Sequence, residues 1–171
     1  MHPTEINEVL DSMVCICDSR EQSTPKLKAR LKQINLPVER EALLCGDYSA
    51  KVKLPSGEWY QIPVSLERKM NISEACMCYC QERSRFVREF DRAKDNNIKM
   101  YLLIEDATWE NIYAGRYRSK MLPQSLVASL LSWLARYNCQ IIMCKAETTG
   151  RIIHDVLYRE AKEILMGMVD E

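Results

Sequence analysis

The sequence predicts an α/β protein in which a central mixed β-sheet is flanked by helices. The apolar runs at residues 100–104 (MYLLI) and 140–144 (QIIMC) are typical of strands buried on both faces. Amphipathic segments with helical periodicity separate and follow these runs. Residues 48–69 contain two strand-like runs around the turn Pro-Ser-Gly-Glu, a pattern that predicts a β-hairpin. Because a hairpin is followed by alternating strands and helices, we expect both antiparallel and parallel pairing.

The first half of the chain supplies most of the expected strands. Met13–Cys17 is a short apolar strand, and Pro25–Ile34 is a basic helix with proline at a favourable starting position. A strand over Val38–Leu44 follows. Tyr48–Leu54 alternates polar and apolar residues, and its hairpin partner is Trp59–Lys69.

The second half is predicted to alternate helices with buried strands. One long helix is expected over Glu74–Asn97, since Tyr79, Phe86 and Phe90 recur at helical spacing. The remaining elements are a strand, a short helix, an amphipathic helix, a strand and a last helix: Met100–Ile104, Trp109–Ala114, Pro123–Tyr137, Gln140–Cys144 and Thr149–Met166.

Length and composition predict one domain over residues 1–171. The 24 basic and 24 acidic side chains cancel, which excludes a protein that binds nucleic acid through bulk charge and leaves local basic clusters as the alternative. No signal peptide or run of 18 apolar residues is present, so we expect a cytoplasmic protein with no membrane association. The eight cysteines are therefore expected to be reduced thiols.

Three acidic residues stand at the ends or starts of predicted strands. Asp18 ends the first strand, Asp47 follows Gly46, and Glu67 lies near the end of the hairpin. Carboxylates that meet at one sheet edge repel one another unless a hard cation such as Mg²⁺ or Mn²⁺ neutralises them. Lys69 lies two residues beyond Glu67, on the same face of a strand. This pattern is typical of phosphodiester cleavage, although a solvated strand end accounts for the same charges.

These residues together resemble the nuclease domain of XPF-type structure-specific endonucleases, within the restriction-endonuclease-like PD-(D/E)XK superfamily. The resemblance is carried by Asp18-Ser19-Arg20-Glu21, Gly46-Asp47-Tyr48 and Glu67-Arg68-Lys69, in that order. It continues through Arg83-Ser84-Arg85-Phe86 and Gly115–Lys120, and covers about residues 13–165. It is similar to small stand-alone bacterial and phage members, and it implies a restriction-endonuclease-like sheet and a role in DNA repair or recombination.

The resemblance also implies a metal-dependent DNA endonuclease and assigns its residues. Asp47, Glu67 and the backbone carbonyl of Arg68 are implied to bind Mg²⁺ or Mn²⁺. Lys69 is the implied catalytic lysine, while Asp18 and Glu21 are supporting acids. The preferred DNA is expected to be branched, flapped or forked.

Two departures from the family pattern limit these assignments. The family often has aspartate four residues after the lysine, whereas this chain has Ser73 followed by Glu74. A serine hydroxyl does not replace a carboxylate ligand, so the sequence leaves the presence of a second metal site open. Glu74 is a partial substitute for the missing carboxylate. The sequence also has no tandem helix-hairpin-helix module, so the partners of larger relatives do not carry over.

DNA contacts are predicted from local basic clusters. Each cluster is consistent with phosphate binding and also with an ordinary solvated face, since acidic residues are interleaved among the arginines of the long helix. The predicted DNA-binding residues are Arg20, Arg68, Arg83, Arg85, Arg116, Tyr117, Arg118 and Lys120.

Homodimerisation through the last two helices is expected from the family. Both helices carry apolar residues at helical spacing, and burial inside one chain is the simpler explanation for some of them. The candidate interface residues are Leu126, Leu130, Trp133, Leu157 and Leu165.

Two interpretations of the function remain open. The first is an active endonuclease, favoured by Asp47, Glu67 and Lys69. The second is a catalytically impaired pseudo-nuclease that acts as a DNA-binding or protein-interaction module. A zinc site is disfavoured, because the cysteines at 76, 78 and 80 form no CxxC pair and the only histidines are His2 and His154.

Overall fold

A computed structural model describes residues 3–169 of the chain. Seven α-helices and seven strands are formed by these residues, and the strands make one mixed sheet, which confirms the predicted fold class. The strands are β1 Val14–Asp18, β2 Val38–Glu41, β3 Tyr48–Lys53, β4 Trp59–Gln61, β5 Val64–Lys69, β6 Lys99–Glu105 and β7 Cys139–Cys144. The helices are α1 Pro3–Asp11, α2 Pro25–Ile34, α3 Ile72–Cys80, α4 Arg83–Asp95, α5 Trp109–Tyr113, α6 Pro123–Arg136 and α7 Thr149–Gly167, with a short 3₁₀ helix at Ala146–Thr148.

The described residues divide into two compact units. The first unit comprises the described parts of Met1–Leu43, Asp47–Val64 and Thr149–Glu171, and the second comprises Leu44–Gly46 and Ser65–Thr148. The catalytic residues predicted from the sequence are distributed over both units.

The first unit contains both parallel and antiparallel strand pairs. β1 pairs in parallel with β2, with Cys15 opposite Val38. On its other side β1 pairs antiparallel with β3, where Cys15 lies opposite Ala50. The hairpin partner of β3 is β4. Every residue of β1 is buried, which explains the apolar run that precedes Asp18.

The helices of the first unit begin and end at recognisable signals. Thr24 caps α2 by accepting a hydrogen bond from the N–H of Leu27, and Pro25 occupies the first turn. Asn35 ends α2 in the left-handed conformation. α7 packs against α2 and α1, and its buried stripe lies at helical spacing.

The second unit contains a parallel βαβ arrangement. β6 and β7 pair in parallel from Met100 opposite Cys139 to Glu105 opposite Cys144. Its core includes a cluster of five aromatic rings, with neighbouring centroids 4.9–5.7 Å apart. These rings belong to Tyr79, Phe86, Phe90, Trp133 and Tyr137.

Two predicted elements are each divided in the structure. The expected helix over Glu74–Asn97 is two helices, because the N–H groups of Gln81 and Glu82 both donate to the carbonyl of Met77 and end α3. The apolar period is the same in α3 and α4, so spacing alone did not reveal the break. The expected strand over Trp59–Lys69 is divided into β4 and β5 at Pro63, which has no N–H for pairing. Helix α1 was not predicted.

The five side chains expected at a dimer interface are internal. Leu126, Leu130, Leu157 and Leu165 are fully buried within the chain, and Trp133 is 1% exposed. The assignment of these residues to an intermolecular contact is therefore wrong, because they form the cores of their own units. In the described part of the chain, no helix is long and apolar enough to span a membrane.

Candidate active site

Asp18 ends β1 in the first unit and is almost completely buried. Its Oδ1 accepts hydrogen bonds from the backbone N–H and the Nε of Arg20, both at 2.8 Å. Its Oδ2 accepts from Nη2 of Arg20 and from the N–H of Leu43, also at 2.8 Å. Four donors thus occupy the carboxylate, which orients the Arg20 side chain while that side chain remains 61% exposed.

The hydrogen bonds of Asp18 also favour its ionised form. Burial acts to raise the pKa of Asp18, but the side chain of Arg20 and the N–H groups of Leu43 and Arg20 outweigh it. The net result is a pKa below the ordinary value. Asp18 is therefore an anionic anchor for Arg20.

Asp47 lies beside Asp18 in the first unit. The N–H of Asp18 donates to the carbonyl oxygen of Asp47 at 2.8 Å, so the two backbones are fixed to each other. The side chain of Asp47 is half-buried. The end of β1 and the residue before β3 therefore have adjoining backbones at two of the predicted acids.

A buried arginine adjoins this part of the first unit. Nη1 of Arg30 lies 2.8 Å from the hydroxyl of Tyr48 and 3.9 Å from Oε2 of Glu21. Arg30 was not distinguished in advance from the other cations of α2. Its spacing from Leu27 and Ile34 placed it on the apolar face, which is the signal that identifies it.

Glu67 and Lys69 form a buried ion pair at the end of β5 in the second unit. The two side chains share one face of the strand, and Nζ of Lys69 contacts Oε1 of Glu67. They are only 6% and 8% exposed. Nζ of Lys69 also lies 5.4 Å from the ring centre of Phe86.

The charge state of Glu67 reflects these surroundings. Burial raises its pKa above the ordinary value, while the ammonium group of Lys69 opposes that shift. The carboxylates of Glu89 and Glu74 act in the same direction as burial. Burial and the neighbouring carboxylates thus oppose ionisation of Glu67, and the ammonium group of Lys69 is the neighbour that favours its charged form.

Arg68 faces away from this pair and is bound by Glu105. Its Nε and Nη2 each lie 2.7 Å from one carboxylate oxygen of Glu105. Glu105 ends β6 and is 4% exposed by its side chain. No role was assigned to Glu105 from the sequence. Its position at the end of a predicted strand was the available signal.

Gly46, which precedes Asp47, is required by geometry. Its φ is +74°, in the region that side chains disfavour. A Cβ atom would lie 2.6 Å from Oγ of Ser65 and 2.9 Å from the carbonyl oxygen of Leu66. The N–H of Gly46 donates to Oε1 of Glu89 at 2.9 Å, so α4 holds the residue before Asp47.

Glu74 and Ser73 begin α3 after the Glu-Arg-Lys segment. Oδ1 of Asn71 accepts from the N–H of Glu74 at 2.9 Å, and the Glu74 carboxylate accepts from the N–H of Met70. Asn71 thus caps α3, and the carboxylate of Glu74 has a structural partner in the backbone before the helix. Oγ of Ser73 accepts from the N–H of Arg118 at 3.1 Å.

Most of the cations predicted to bind DNA are exposed. Arg83 and Arg85 lie on the solvent side of α4, and Arg116, Arg118 and Lys120 project from the segment after α5. Tyr117 differs, since it is half-buried and its hydroxyl donates to the carbonyl of Met121 at 2.8 Å. The Tyr117 side chain therefore holds this segment in place, and its ring is not fully presented to solvent.

The predicted metal ligands are hard oxygen donors. Asp47 belongs to the first unit, and Glu67 and the carbonyl of Arg68 belong to the second. Two carboxylates and a carbonyl suit Mg²⁺ or Mn²⁺ in kind. Among residues 3–169, no group of three or more His, Cys, Asp or Glu side chains is arranged to hold a metal. A set with only two carboxylates does not require such a group.

The cysteines are free thiols. Burial raises the pKa of Cys15 to about 12 and that of Cys78 to about 11, so these thiols are protonated near neutral pH. His154 lies with Nδ1 2.7 Å from the carbonyl of Ile34, and His2 lies outside the described residues. The meeting of Asp18, Asp47 and Glu67 at one sheet edge, with Lys69 beside them, stays a prediction.

Comparison with known proteins bears on the fold and the family. No curated protein matches the chain. XPF from Aeropyrum pernix has a similar structure, with 19% identity and a TM-score of 0.58, over 84% of this chain and 59% of that chain. XPF from Aeropyrum pernix in complex with DNA has 18% identity and a TM-score of 0.60, over 88% of this chain and 65% of that one.

This chain therefore spans less than two thirds of the length of either XPF chain. At these identities the structural likeness establishes the fold, which is the one that the sequence resemblance implied. The ERCC4 domain matches residues 17–156, a range that includes all the predicted site residues. Since that range is most of the sequence, the protein belongs to the ERCC4 domain family.

Proposed function

We propose that this protein is a metal-dependent endonuclease that hydrolyses phosphodiester bonds in branched, flapped or forked DNA. The observation that carries this proposal is the buried Glu67–Lys69 pair inside the ERCC4 domain. Burying two charges costs several kcal/mol per ion in desolvation, and an apolar pair of similar volume avoids that cost. A chemical use for the two groups accounts for their presence.

Asp47, Glu67 and the carbonyl of Arg68 would hold Mg²⁺ or Mn²⁺. When bound, such an ion stabilises negative charge on the scissile phosphate and lowers the pKa of a water molecule. The donor types support this assignment. The fixed backbone of Asp47, bound to Asp18, lowers the entropy lost when its carboxylate binds an ion.

Lys69 would orient the attacking water and contact a phosphate oxygen. Its ammonium group needs no proton loss for either role. Asp18 would act indirectly by holding the exposed Arg20 against the DNA backbone. Glu21 would support the same region, because its carboxylate lies near the buried Arg30.

The exposed cations supply the proposed DNA surface. Arg83 and Arg85 on α4 and Arg116, Arg118 and Lys120 after α5 are all available to phosphates. The XPF structure from Aeropyrum pernix in complex with DNA supports DNA as the ligand. Arg68 is not part of this surface, because its guanidinium group is bound by Glu105. Its role in this proposal is that of its backbone carbonyl.

Cleavage of labelled branched DNA under single-turnover conditions tests this proposal. The parent protein should cut with Mg²⁺ or Mn²⁺ and stop cutting when EDTA is added. Glu67→Gln retains the shape of the side chain but removes the anion, so metal binding and cleavage should fail together. Glu147→Gln, at an exposed position of the 3₁₀ helix, is the matched control and should cut like the parent. An unchanged rate for Glu67→Gln contradicts the assignment.

The alternative is a pseudo-nuclease that binds DNA without cutting it. Ser73 in place of an acid favours this interpretation, because it removes one possible carboxylate ligand. The same assay separates the two functions. A pseudo-nuclease would bind branched DNA with metal present and yet leave every strand intact.

We also propose a homodimer, through a surface other than the one first expected. Tyr113, Leu122 and Leu131 are 64%, 66% and 48% exposed, on or near α5 and α6. Light scattering over a range of concentrations should show twice the 19.9 kDa chain mass. Leu131→Asp should shift the distribution to monomer, and a parent that is monomeric at high concentration rejects the proposal.

A further inference from the structure

The basic segment between α5 and α6 is attached to the first turn of α3. We call residues 115–121 the basic loop. Oγ of Ser73, the second residue of α3, accepts a hydrogen bond from the N–H of Arg118 at 3.1 Å. The bond involves the backbone of Arg118 and leaves its guanidinium group exposed.

A second side chain of α3 contacts the next loop residue. Cys76 lies three residues after Ser73, on the same side of the helix. Its buried thiol interacts with the side chain of Ser119. Oγ of Ser119 in turn accepts from the N–H of Met121 at 3.1 Å. One face of α3 therefore holds two consecutive loop residues.

The loop is also braced internally. The hydroxyl of Tyr117 donates to the carbonyl of Met121 at 2.8 Å, which closes a short ring of residues. Gly115 enters the loop with φ of +67°. The backbone is thus fixed on one side, while Arg116, Arg118 and Lys120 all project into solvent.

We propose that Ser73 is a positioning residue for DNA binding, whose hydroxyl holds the basic loop so that its three cations are presented to phosphates. This inference rests on the proposed function, since it assigns the loop a DNA ligand. Cations on a fixed backbone lose less conformational entropy on binding than cations on a mobile one, so the anchored loop binds more tightly.

The choice of serine has an electrostatic consequence. A hydroxyl accepts the Arg118 N–H without adding charge. The family resemblance places a carboxylate at this position. A carboxylate here would stand beside the backbone of the loop and repel the phosphates that its cations attract. A serine instead of an acid at position 73 thus suits a phosphate-binding loop. The same replacement disfavours a second metal site.

Limited trypsin digestion of the native protein tests the attachment without reference to DNA. The bonds after Arg116, Arg118 and Lys120 are trypsin sites within the loop. Ser73→Ala should speed cleavage at these bonds about two- to tenfold, the range expected from the loss of one hydrogen bond. Ser73→Thr retains the hydroxyl and should restore the parent rate. Ser125→Ala, which removes an exposed serine near the start of α6, is the matched control.

Binding and cleavage of branched DNA test the consequence. Ser73→Ala should raise Kd about two- to tenfold and leave the single-turnover rate at saturating DNA unchanged. Ser73→Thr should restore Kd. If Ser73→Ala only destabilised the fold, both the cleavage rate at saturating DNA and the melting temperature would fall.

Three results would overturn the inference in different ways. Equal tryptic rates for Ser73→Ala and the parent reject the attachment. Faster digestion with an unchanged Kd rejects the role in DNA binding. A parent that binds no DNA contradicts the proposed function and the DNA role of the loop, whereas the digestion result still decides whether Ser73 holds it.

Discussion

Arg68 and Glu105 form two parallel hydrogen bonds of 2.7 Å between guanidinium and carboxylate. The two residues are 37 positions apart, and they connect the ends of β5 and β6 in the second unit. Because Glu67 and Lys69 occupy the opposite face of β5, the Glu-Arg-Lys segment has two functions. One face carries the proposed chemistry, and the other ties the strand end to its neighbour.

Breaking the Arg68–Glu105 pair should destabilise the protein. Arg68→Ala removes both hydrogen bonds that the guanidinium group makes to the buried carboxylate of Glu105, which should lower the free energy of unfolding by about 3 kcal/mol. Arg68→Met with Glu105→Leu removes both charges and should cost less than Arg68→Ala. Urea unfolding of the parent and of these two variants measures the difference. If Arg68→Ala unfolds like the parent but binds DNA weakly, Arg68 is a DNA contact after all.

Asp18 should make stability depend on pH in the acid range. Its pKa is lowered in the folded protein, so its contribution is complete above the unfolded value near 3.8 and is lost as pH falls through the folded value. Asp18→Asn should reduce the free energy of unfolding by about 2 kcal/mol at pH 7, because charge-assisted hydrogen bonds are lost.

The difference between Asp18→Asn and the parent should shrink as pH falls below about 3.8. Urea unfolding from pH 7 to pH 3 measures it. Asp155→Asn, an exposed aspartate on α7, is the control for loss of one negative charge. A difference that is constant across this range shows that ionisation of Asp18 is not what stabilises the fold.

Gly46→Ala should damage both stability and activity. The new Cβ would have to occupy a position 2.6 Å from Oγ of Ser65 at a φ of +74°. Strain of about 1–3 kcal/mol is expected from the backbone alone, and the contact adds to it. Cleavage should fall further than stability predicts, since Asp47 is the next residue.

Gly57→Ala separates the cost of the backbone conformation from the cost of the steric contact. Gly57 has φ of +89°, but no atom lies within 4 Å of the position that a Cβ would occupy. It should show the backbone cost alone and retain cleavage. Thermal melting and single-turnover rates give both quantities, and equal effects for the two variants would mean that the contact at Gly46 is unimportant.

Lys69→Ala should slow cleavage of branched DNA by about 10²–10³ at saturating metal, the usual loss for one preorganised electrostatic group. DNA affinity should change little, because the buried ammonium is not part of the exposed basic surface. Lys94→Ala, on the exposed side of α4, is the control. A Lys69→Ala protein that cuts as fast as the parent excludes the assigned mechanism.

DNA binding should weaken with salt and depend little on sequence. Neutralising about four to six phosphates gives a log–log salt slope of roughly −4 to −5. Arg116→Ala with Arg118→Ala should flatten this slope by about 2, since each contact contributes about 0.9. Arg151→Ala with Arg159→Ala removes two exposed charges from α7 and should leave it unchanged. If both pairs flatten the slope equally, the loop has no special role.

The sequence by itself predicted the fold class and most elements, because each strand and helix has its own periodicity. α2, α6, β6 and β7 were predicted to within one residue at each end, since proline starts two of them and continuous apolar runs form the others. The Asp, Gly-Asp and Glu-Arg-Lys motifs identified the family for the same reason, as they are local patterns.

The contacts between residues of neighbouring elements were decided only by the tertiary structure. Asp18 accepts from Leu43 and Arg68 binds Glu105, and no spacing along the chain predicts either contact. The break between α3 and α4 likewise leaves the apolar period unchanged.

Burial decided the roles of the polar residues in the same way. Arg30, on a helix of otherwise exposed cations, is buried against Tyr48, while Ser73 receives the backbone of a loop 45 residues away. Periodicity records which face of an element is apolar. The partner of a buried charge or hydroxyl is set by which elements pack together, because a desolvated polar group must find its hydrogen bond wherever the fold places a donor or an acceptor.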